Sequence, residues 1–458
     1  MTASRRTAFL AFALCGVLLL SQSTPQDLPR PGANDKIMLQ ILGSVSPRKL
    51  AVADVKQSSK VGSASTEALA KIFNDTLWAD LENSGVVTMV SKSFYPKDQP
   101  GTPAELLPVI SSWAQPPTSA QALVFGNLTT NGDRMTIEGY LYDVTGSTRP
   151  GILDKRFPDE AMPEAARMIA HRFANEIIAN LGGGISGITE SKIYFTSTRT
   201  GHKEIWSMDY DGANQHQITR YGNITMTPAV SPDGGRLAYT SYAAGNPDIY
   251  VLALDTGRQL TFRNLAGHLN TTPSFSPDGK RIVYAGSRTA DTQIYLADSS
   301  GGNAIRLTDS HGVSIEPAFN PRTGDQIAFV SGRSGVPQVY VMDTSGSNVR
   351  KLSGGQGDAV NPAWAPNGQL LAFSWTRGYA PGNYNIFVMD VAGGNLLQLT
   401  YGAGKNEHPS WAPDGRHIVF SSNRVGKRPQ IYTMLADGTQ VRALTTAGVN
   451  EEPVWSPR

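Results

Sequence analysis

Between residues 193 and 455 the apolar positions fall in short runs separated by glycine, proline and Asp-Gly or Asn-Gly punctuation. One set of runs is Ile193-Tyr-Phe-Thr, Leu237-Ala-Tyr-Thr, Ile282-Val-Tyr-Ala, Ile327-Ala-Phe-Val, Leu371-Ala-Phe-Ser and Ile418-Val-Phe-Ser. A second set follows each in turn: Ile205-Trp-Ser-Met, Ile249-Tyr-Val-Leu, Ile294-Tyr-Leu-Ala, Val339-Tyr-Val-Met, Ile386-Phe-Val-Met and Ile431-Tyr-Thr-Met. Short β-branched and aromatic runs bounded by turn residues read as strands.

A proline-bracketed segment precedes most of these pairs. It occurs as Pro228-Ala-Val-Ser-Pro232, Pro273-Ser-Phe-Ser-Pro277, Pro317-Ala-Phe-Asn-Pro321, Pro362-Ala-Trp-Ala-Pro366, Pro409-Ser-Trp-Ala-Pro413 and Pro453-Val-Trp-Ser-Pro457. The first prolines are 45, 44, 45, 47 and 44 residues apart. A fixed period of this size means stacked supersecondary units. Turns such as Asp233-Gly234 and Asp414-Gly415 supply the positive φ of tight hairpins. A short fourth run (Gln217-Ile-Thr, Arg306-Leu-Thr, Gln398-Leu-Thr) completes four antiparallel strands per unit. The expected fold is an all-β six-bladed β-propeller over residues 190–458, preceded by a small α/β domain. The third repeat carries one extra residue in Asn320-Pro321-Arg322-Thr323-Gly324, which predicts a bulged loop.

Ile193-Tyr-Phe-Thr has no proline segment before it, and Pro453–Pro457 has no strand after it. The last segment is therefore expected to pair with the strand at 193 and close the ring, which removes two exposed sheet edges.

Upstream the pattern changes. Leu69, Ile72, Phe73, Leu77 and Leu81 lie at helical spacing within 66–83, between strand-like stretches 49–55 and 86–90. Residues 103–113 predict a shorter helix, and 122–125, 135–144 and 151–157 three more strands, with Asn131-Gly132 as a hairpin turn. A long helix is expected over 161–181, with Pro163 in its first turn and Gly182-Gly183-Gly184 ending it. This is the α/β domain, within 24–185, and Gly182–Gly187 is its expected hinge to the propeller.

The chain begins with Arg5-Arg6, an apolar run from Ala8 to Leu20, and small residues at Ser21 and Ser23. About 13 apolar residues are too few to span a bilayer, so residues 1–23 read as a secretory signal peptide. The paired arginines leave general and twin-arginine export both open. Residues 24–34 form a proline-rich leader. Cys15 is the only cysteine, so the exported chain has no disulfide or thiolate chemistry. Loss of Arg5 and Arg6 leaves 38 charges of each sign, which gives no electrostatic reason to expect nucleic acid or an anionic membrane as partner.

Catalytic and metal motifs are absent: there is no His-Glu-x-x-His, no phosphate loop and no nucleophile elbow. Asp209-Tyr-Asp211-Gly-Ala-Asn214 resembles half a calcium loop but lacks the closing glutamate, and reads as a hairpin turn. His268 and His408 sit near their repeat prolines without carboxylates placed to make a metal site. No catalytic residue, metal ligand or cofactor is expected. The polar residues ahead of each first proline are more informative, because the loop into the innermost strand of a blade lies at the mouth of the central channel. Thr271-Thr272, Ile315-Glu316, Val360-Asn361, Asn406-Glu407-His408 and Asn450-Glu451-Glu452 should ring one opening, with Asn270 nearby. Such a rim suits a protein partner with directional contacts.

The order of parts, an export signal, an α/β domain and six Pro-x-aromatic repeats ending in Trp455-Ser-Pro-Arg458, resembles the TolB family of the periplasmic Tol-Pal system. Lys36-Ile-Met-Leu to Lys49-Leu-Ala-Val-Ala is similar to the segment that opens the mature chain in that family, and Tyr210-Asp-Gly-Ala-Asn-Gln to its first propeller turn. The resemblance implies a non-enzymatic periplasmic adaptor supporting outer-membrane integrity and constriction at cell division. It implies binding of the peptidoglycan-associated lipoprotein Pal at the channel mouth, on Asn270, Thr272, Ile315, Glu316, Asn361 and His408. It implies contact with the inner-membrane protein TolA through the N-terminal segment, Asp35, Lys36, Ile37 and Met38. The longer, proline-rich leader departs from the family pattern. The alternative is a secreted propeller lyase or hydrolase acting on a polysaccharide or peptide.

Overall fold

The computed structural model describes residues 37–38, 41, 47–57, 64–146, 148–267, 269–288, 291–392, 394–402 and 404–457. The signal peptide 1–23, the leader 24–34, Asp35, Lys36 and His268 lie outside the described residues.

The first domain is built on one mixed sheet. Its strands are β1 (Arg48–Val52), β2 (Lys56–Gln57), β3 (Val87–Met89), β4 (Ala122–Asn131), β5 (Arg134–Asp143) and β6 (Gly151–Glu160). The order is β3-β1-β4-β5-β6, with β2 also on β4. β1 runs parallel to β3 and β4, whereas β4, β5 and β6 form antiparallel hairpins. The helices Ala64–Asn83 and Pro163–Leu181 cover one face, burying Phe73, Leu77, Leu81, Phe173 and Ile177 against Val124, Ile137 and Leu141. Gly139 on β5 makes this packing possible: a Cβ there would lie 2.6 Å from the Phe173 ring. The opposite face is closed by Leu106 and Trp113. The single helix expected over 103–113 is broken into Pro103–Leu106, a tight turn at Leu107–Val109, and Ile110–Ala114. Pro108 has no N–H to continue the helix.

Six four-stranded antiparallel sheets follow. Blade 1 joins Asn450–Trp455 to Lys192–Ser197, Glu204–Asp209 and His216–Gln217, with Trp455 opposite Ile193 and Asn450 opposite Ser197. The expected closure of the ring is therefore observed. Blades 2 to 6 begin with the innermost strands Thr225–Val230, Leu269–Phe275, Ser314–Phe319, Ala359–Trp364 and Asn406–Trp411. The second strands are buried almost throughout, as in Leu370–Trp375 and His417–Ser422, because each is covered by the blades on both sides. Tyr239, Tyr284, Phe329, Phe373 and Phe420 occupy equivalent fully buried positions there. Removing one such ring costs roughly 3–5 kcal/mol.

The first domain packs against the turns at one end of blades 6 and 1. His417 Nε2 donates to the Asn83 carbonyl at 2.7 Å, and Arg416 Nη2 to the Gly85 carbonyl at 2.7 Å. Arg167 bonds Asp211 at 2.9 Å and Asp209 at 3.1 Å. Tyr210 donates to Asp80, whose other oxygen meets His171 Nδ1 at 2.7 Å. Burial opposes the Arg167 charge, but Asp211 and Asp209 outweigh it and raise its pKa above the ordinary range. The half calcium loop thus spends its oxygens on Arg167, Lys192 and Asn214.

Candidate binding site at the channel mouth

The six innermost strands share an irregularity. Thr227, Thr272, Glu316, Asn361, His408 and Glu452 each directly precede a first proline, and each has φ between 50° and 54°. The ladder to the second strand shifts register at the same place in all six blades. Non-glycine residues avoid this left-handed region, β-branched threonine above all, and each instance costs about 1–3 kcal/mol. Six equivalent costs mark a built feature. The bulge turns all six side chains onto the wall of a central cavity of about 660 Å³.

In ring order, starting from blade 1, the rim reads Glu452, Thr227, Thr272, Glu316, Asn361, His408. Glu316 and Glu452 are three blades apart and so face one another across the opening. Each also bonds to the next blade. Glu316 Oε2 accepts the Asn361 N–H at 2.6 Å, and Glu452 Oε2 accepts the Thr227 N–H at 2.8 Å. Confinement in the channel pushes the Glu316 pKa above its ordinary value, against the pull of His408 and the Asn361 N–H. The Thr272 hydroxyl and His408 Nδ1 have no hydrogen-bond partner among the described residues.

The strand order fixes which loops surround this mouth. Loops into the innermost strands, and those between second and third strands, open on the same face. Ile224, Val313 and Tyr401 in the first kind, and Val336 and Val425 in the second, are exposed, with Val425 at 75 % and Tyr401 at 65 %. The first domain contacts the other face, where Asn83 accepts from His417 of the Asp414 turn and Arg167 donates to Asp211. The mouth is thus an acidic ring with apolar side chains around it, on a face that the first domain leaves free. That combination is the anatomy of a protein interface.

Among the residues expected here, Thr272, Glu316, Asn361 and His408 line the mouth together. Asn270 does not. It is 1 % exposed, and its amide donates to Asp248 at 2.9 Å and to the Leu265 carbonyl at 3.1 Å. Asn406 and Asn450 do the same work in blades 6 and 1, anchoring the entering loop. Ile315 precedes the bulge and packs outward against the core between blades 3 and 4. Thr227 and Glu452 complete the ring. Their signal was the repeat itself, the residue directly before each first proline.

The N-terminal segment is also placed. Ile37 is fully buried and Ile41 nearly so, among Leu370, Leu397 and Leu399 of blade 5 and Trp411, Phe420 and Met434 of blade 6, with Met38 beside them. Among the described residues no three His, Cys, Asp or Glu side chains group as metal ligands, and no helix is long and apolar enough to cross a membrane.

A family profile described as the TolB amino-terminal domain matches residues 41–149, and one described as the TolB beta propeller domain matches 181–359 and 352–458. The crystal structure of TolB from Acinetobacter baumannii superposes with a TM-score of 0.75 at 25% identity, covering 90% of this chain and 97% of that one. The Tol-Pal system protein TolB of Desulfosudis oleivorans is 40% identical over 143 residues, 31% of this chain and 32% of its own length. That of Actinobacillus succinogenes is 30% identical over 259 residues, 56% of each chain. A Protein TolB homolog of Chlorobium chlorochromatii is 36% identical over 133 residues, 29% of each chain. The chain thus spans about a third of the length of the first curated relatives it matches.

Proposed function

The chain belongs to the TolB family, and from that premise we propose that it is a non-enzymatic periplasmic adaptor of the Tol-Pal type. Its channel mouth docks a Pal-like peptidoglycan-associated lipoprotein, and its N-terminal segment serves a TolA-like inner-membrane protein. Through the two it supports outer-membrane integrity and constriction at division.

The ring of six left-handed residues carries this reading. Strain repeated in every blade aims Thr227, Thr272, Glu316, Asn361, His408 and Glu452 into one opening. Strain of this kind persists where the surrounding structure holds it for use. The opposed carboxylates of Glu316 and Glu452 favour a partner element rich in N–H donors or cations. The exposed apolar ring around them supplies buried area, which polar contacts alone do not provide.

For the second partner, binding through Asp35–Met38 requires Ile37 to leave its seat between blades 5 and 6, because a fully buried side chain offers no contact surface. The two states of this segment, seated and released, are then competing uses of the same residues.

A pull-down with the exported chain from a detergent extract of its own envelope tests the adaptor, with Glu316→Arg alongside. The reading expects a peptidoglycan-associated lipoprotein on the wild type and its loss from the variant. Recovery of no envelope protein by either chain would overturn it.

A further inference from the structure

We propose that a cationic sector of the mouth face, on blades 5 and 6, docks an acidic surface of the Pal-like partner and fixes which way round that partner sits. The proposal rests on the adaptor reading and adds to it the chemistry of the partner's contact surface.

The rim alone does not fix an orientation. Its two carboxylates, Glu452 in blade 1 and Glu316 in blade 4, are three blades apart. A half-turn about the channel axis exchanges them, and it exchanges blades 2 and 3 with blades 5 and 6. The backbone of the ring is alike before and after, because all six rim residues share one left-handed geometry. A partner seated on the two carboxylates therefore has two nearly equivalent orientations unless the surrounding loops differ.

They differ in charge. The loops between second and third strands in blades 5 and 6 carry Arg377, Arg424, Lys427 and Arg428 and no acid. In blades 2 and 3 the same loops carry Arg288 and Asp291, with Asp248 directly after the first of them. Register makes the comparison direct. Arg377 lies two residues past the second strand of blade 5, where blade 2 has Ala243. Lys405 lies three residues before the left-handed His408, where blade 3 has Leu269 before Thr272. The acids nearest this sector along the chain are Asp358 and Glu407. Among the described residues, none of the five cations has a carboxylate within ion-pair distance. The exported chain's balance of 38 charges of each sign conceals this local excess.

The sector is contiguous and partly rigid. Lys405 donates its backbone N–H to Asn423 Oδ1 at 2.8 Å, and the Asn423 N–H returns to the Lys405 carbonyl at 3.3 Å. Arg424 donates to Asn406 Oδ1 at 2.9 Å and stacks 5.1 Å over both Phe420 and Tyr432. Arg377 stacks 5.1 Å over Trp375. A Cβ added to Gly382 would lie 4.0 Å from Lys405 Nζ, which brings the blade 5 loop against the blade 6 entry. Cations held over aromatic faces meet a carboxylate with little further loss of freedom. Tyr401 and Val425, the two most exposed large apolar side chains among the described residues, stand on the same loops. The sector thus offers buried area together with charge. It adjoins the acidic rim, which a uniformly anionic surface would meet with the wrong sign. A folded partner can present donors at the centre and acids to one side.

The test titrates the exported chain with the soluble domain of a peptidoglycan-associated lipoprotein, wild type against Lys427→Glu/Arg428→Glu, with Arg288→Glu as the control on the opposite sector. All three positions are exposed, so the blade cores stay intact. The double variant should bind at least about tenfold more weakly at about 50 mM salt, the difference falling to about threefold or less at about 0.5 M, where the screening length is about 4 Å. Arg288→Glu should change affinity less than about twofold. The photo-crosslinker benzoylphenylalanine in place of Tyr401 should mark a segment of the domain rich in Asp and Glu, and in place of Ala243 a different segment. Wild-type affinity in the double variant, an equal loss in Arg288→Glu, or one segment marked from both positions would overturn the proposal and leave the adaptor standing. No binding by the wild type would overturn both. Wild-type retention on vesicles of phosphatidylglycerol and phosphatidylethanolamine that the double variant loses, with its affinity for the domain unchanged, would assign the sector to a lipid surface and overturn the proposal.

Discussion

Glu452 Oε2 accepts a hydrogen bond from the Thr227 backbone N–H at 2.8 Å and another from the Thr196 hydroxyl at 2.9 Å. The first bond crosses from blade 1, which both ends of the propeller sequence build, to blade 2. One rim carboxylate is therefore also a fastener of the ring. Glu452→Ala should lower the unfolding free energy by about 1.5–3 kcal/mol, the worth of hydrogen bonds to a charged group. Glu452→Gln, which keeps an acceptor oxygen, should recover much of that loss. Urea denaturation of the three proteins at pH 7 measures both.

The ring closure itself predicts more. Removing residues 450–458 deletes the inner strand of blade 1, with it the ladder to Lys192–Ser197 and the indole of Trp455, whose Nε1 donates to Ser191 at 2.7 Å. The truncated chain should lose at least about 5 kcal/mol, since a buried tryptophan alone is worth roughly 3–5. An unchanged melting temperature would show that the ring does not depend on its last strand.

The interface between the domains carries a pH signature. His417 donates from Nδ1 to Asp414 at 2.6 Å and from Nε2 to the Asn83 carbonyl at 2.7 Å, so both nitrogens are protonated. Burial disfavours both charges, but the mutual attraction prevails: the His417 pKa is raised and that of Asp414 lowered. The histidine's contribution is complete below its unfolded value of about 6.5 and fades as pH rises through its folded value. The aspartate's is complete above its unfolded value of about 3.9 and fades as pH falls through its folded value. The stability gap between wild type and His417→Gln should be widest between those limits, on the order of 3–5 kcal/mol, and should narrow at alkaline pH. Denaturant unfolding across the range checks it; a gap that grows with rising pH would refute the ion pair.

Ile37 predicts a local effect. Ile37→Asp places a charge among Leu370, Leu397 and Met434, which an apolar site without a partner does not tolerate. The segment around residues 37–41 should leave its seat, and its amide hydrogen exchange should accelerate at least about tenfold, while exchange in the blade cores stays at the wild-type rate.

The propeller was legible because its signal is repeated. Strand runs, turn dipeptides and prolines recur at one spacing, and the offset between first and last repeats dictated the closure through Trp455 and Ile193. The α/β domain was legible where apolar spacing was strong, as in Ala64–Asn83. It was misread at Pro108, where the spacing suited a helix that the missing N–H breaks. The rim was half legible. Proximity to the proline identified the right neighbourhood but not the face, because the bulge between Ile315 and Ala318 interrupts the strand alternation from which the facing of each residue would be read. Asn270 looked like a rim residue because a polar side chain that anchors a loop and one that faces a channel have the same sequence appearance. The seat of Ile37 between blades 5 and 6 had no local signal at all, since it depends on residues more than 300 positions away.

The acidic rim as a docking face is tested most directly by calorimetric titration of the exported chain with the soluble domain of a peptidoglycan-associated lipoprotein, wild type against Glu316→Arg. Reversing this charge opposite Glu452 should weaken binding at least tenfold, about 1.4 kcal/mol, while the variant retains its melting temperature to within a few degrees. Equal affinity of the two folded proteins would contradict the assignment of the channel mouth.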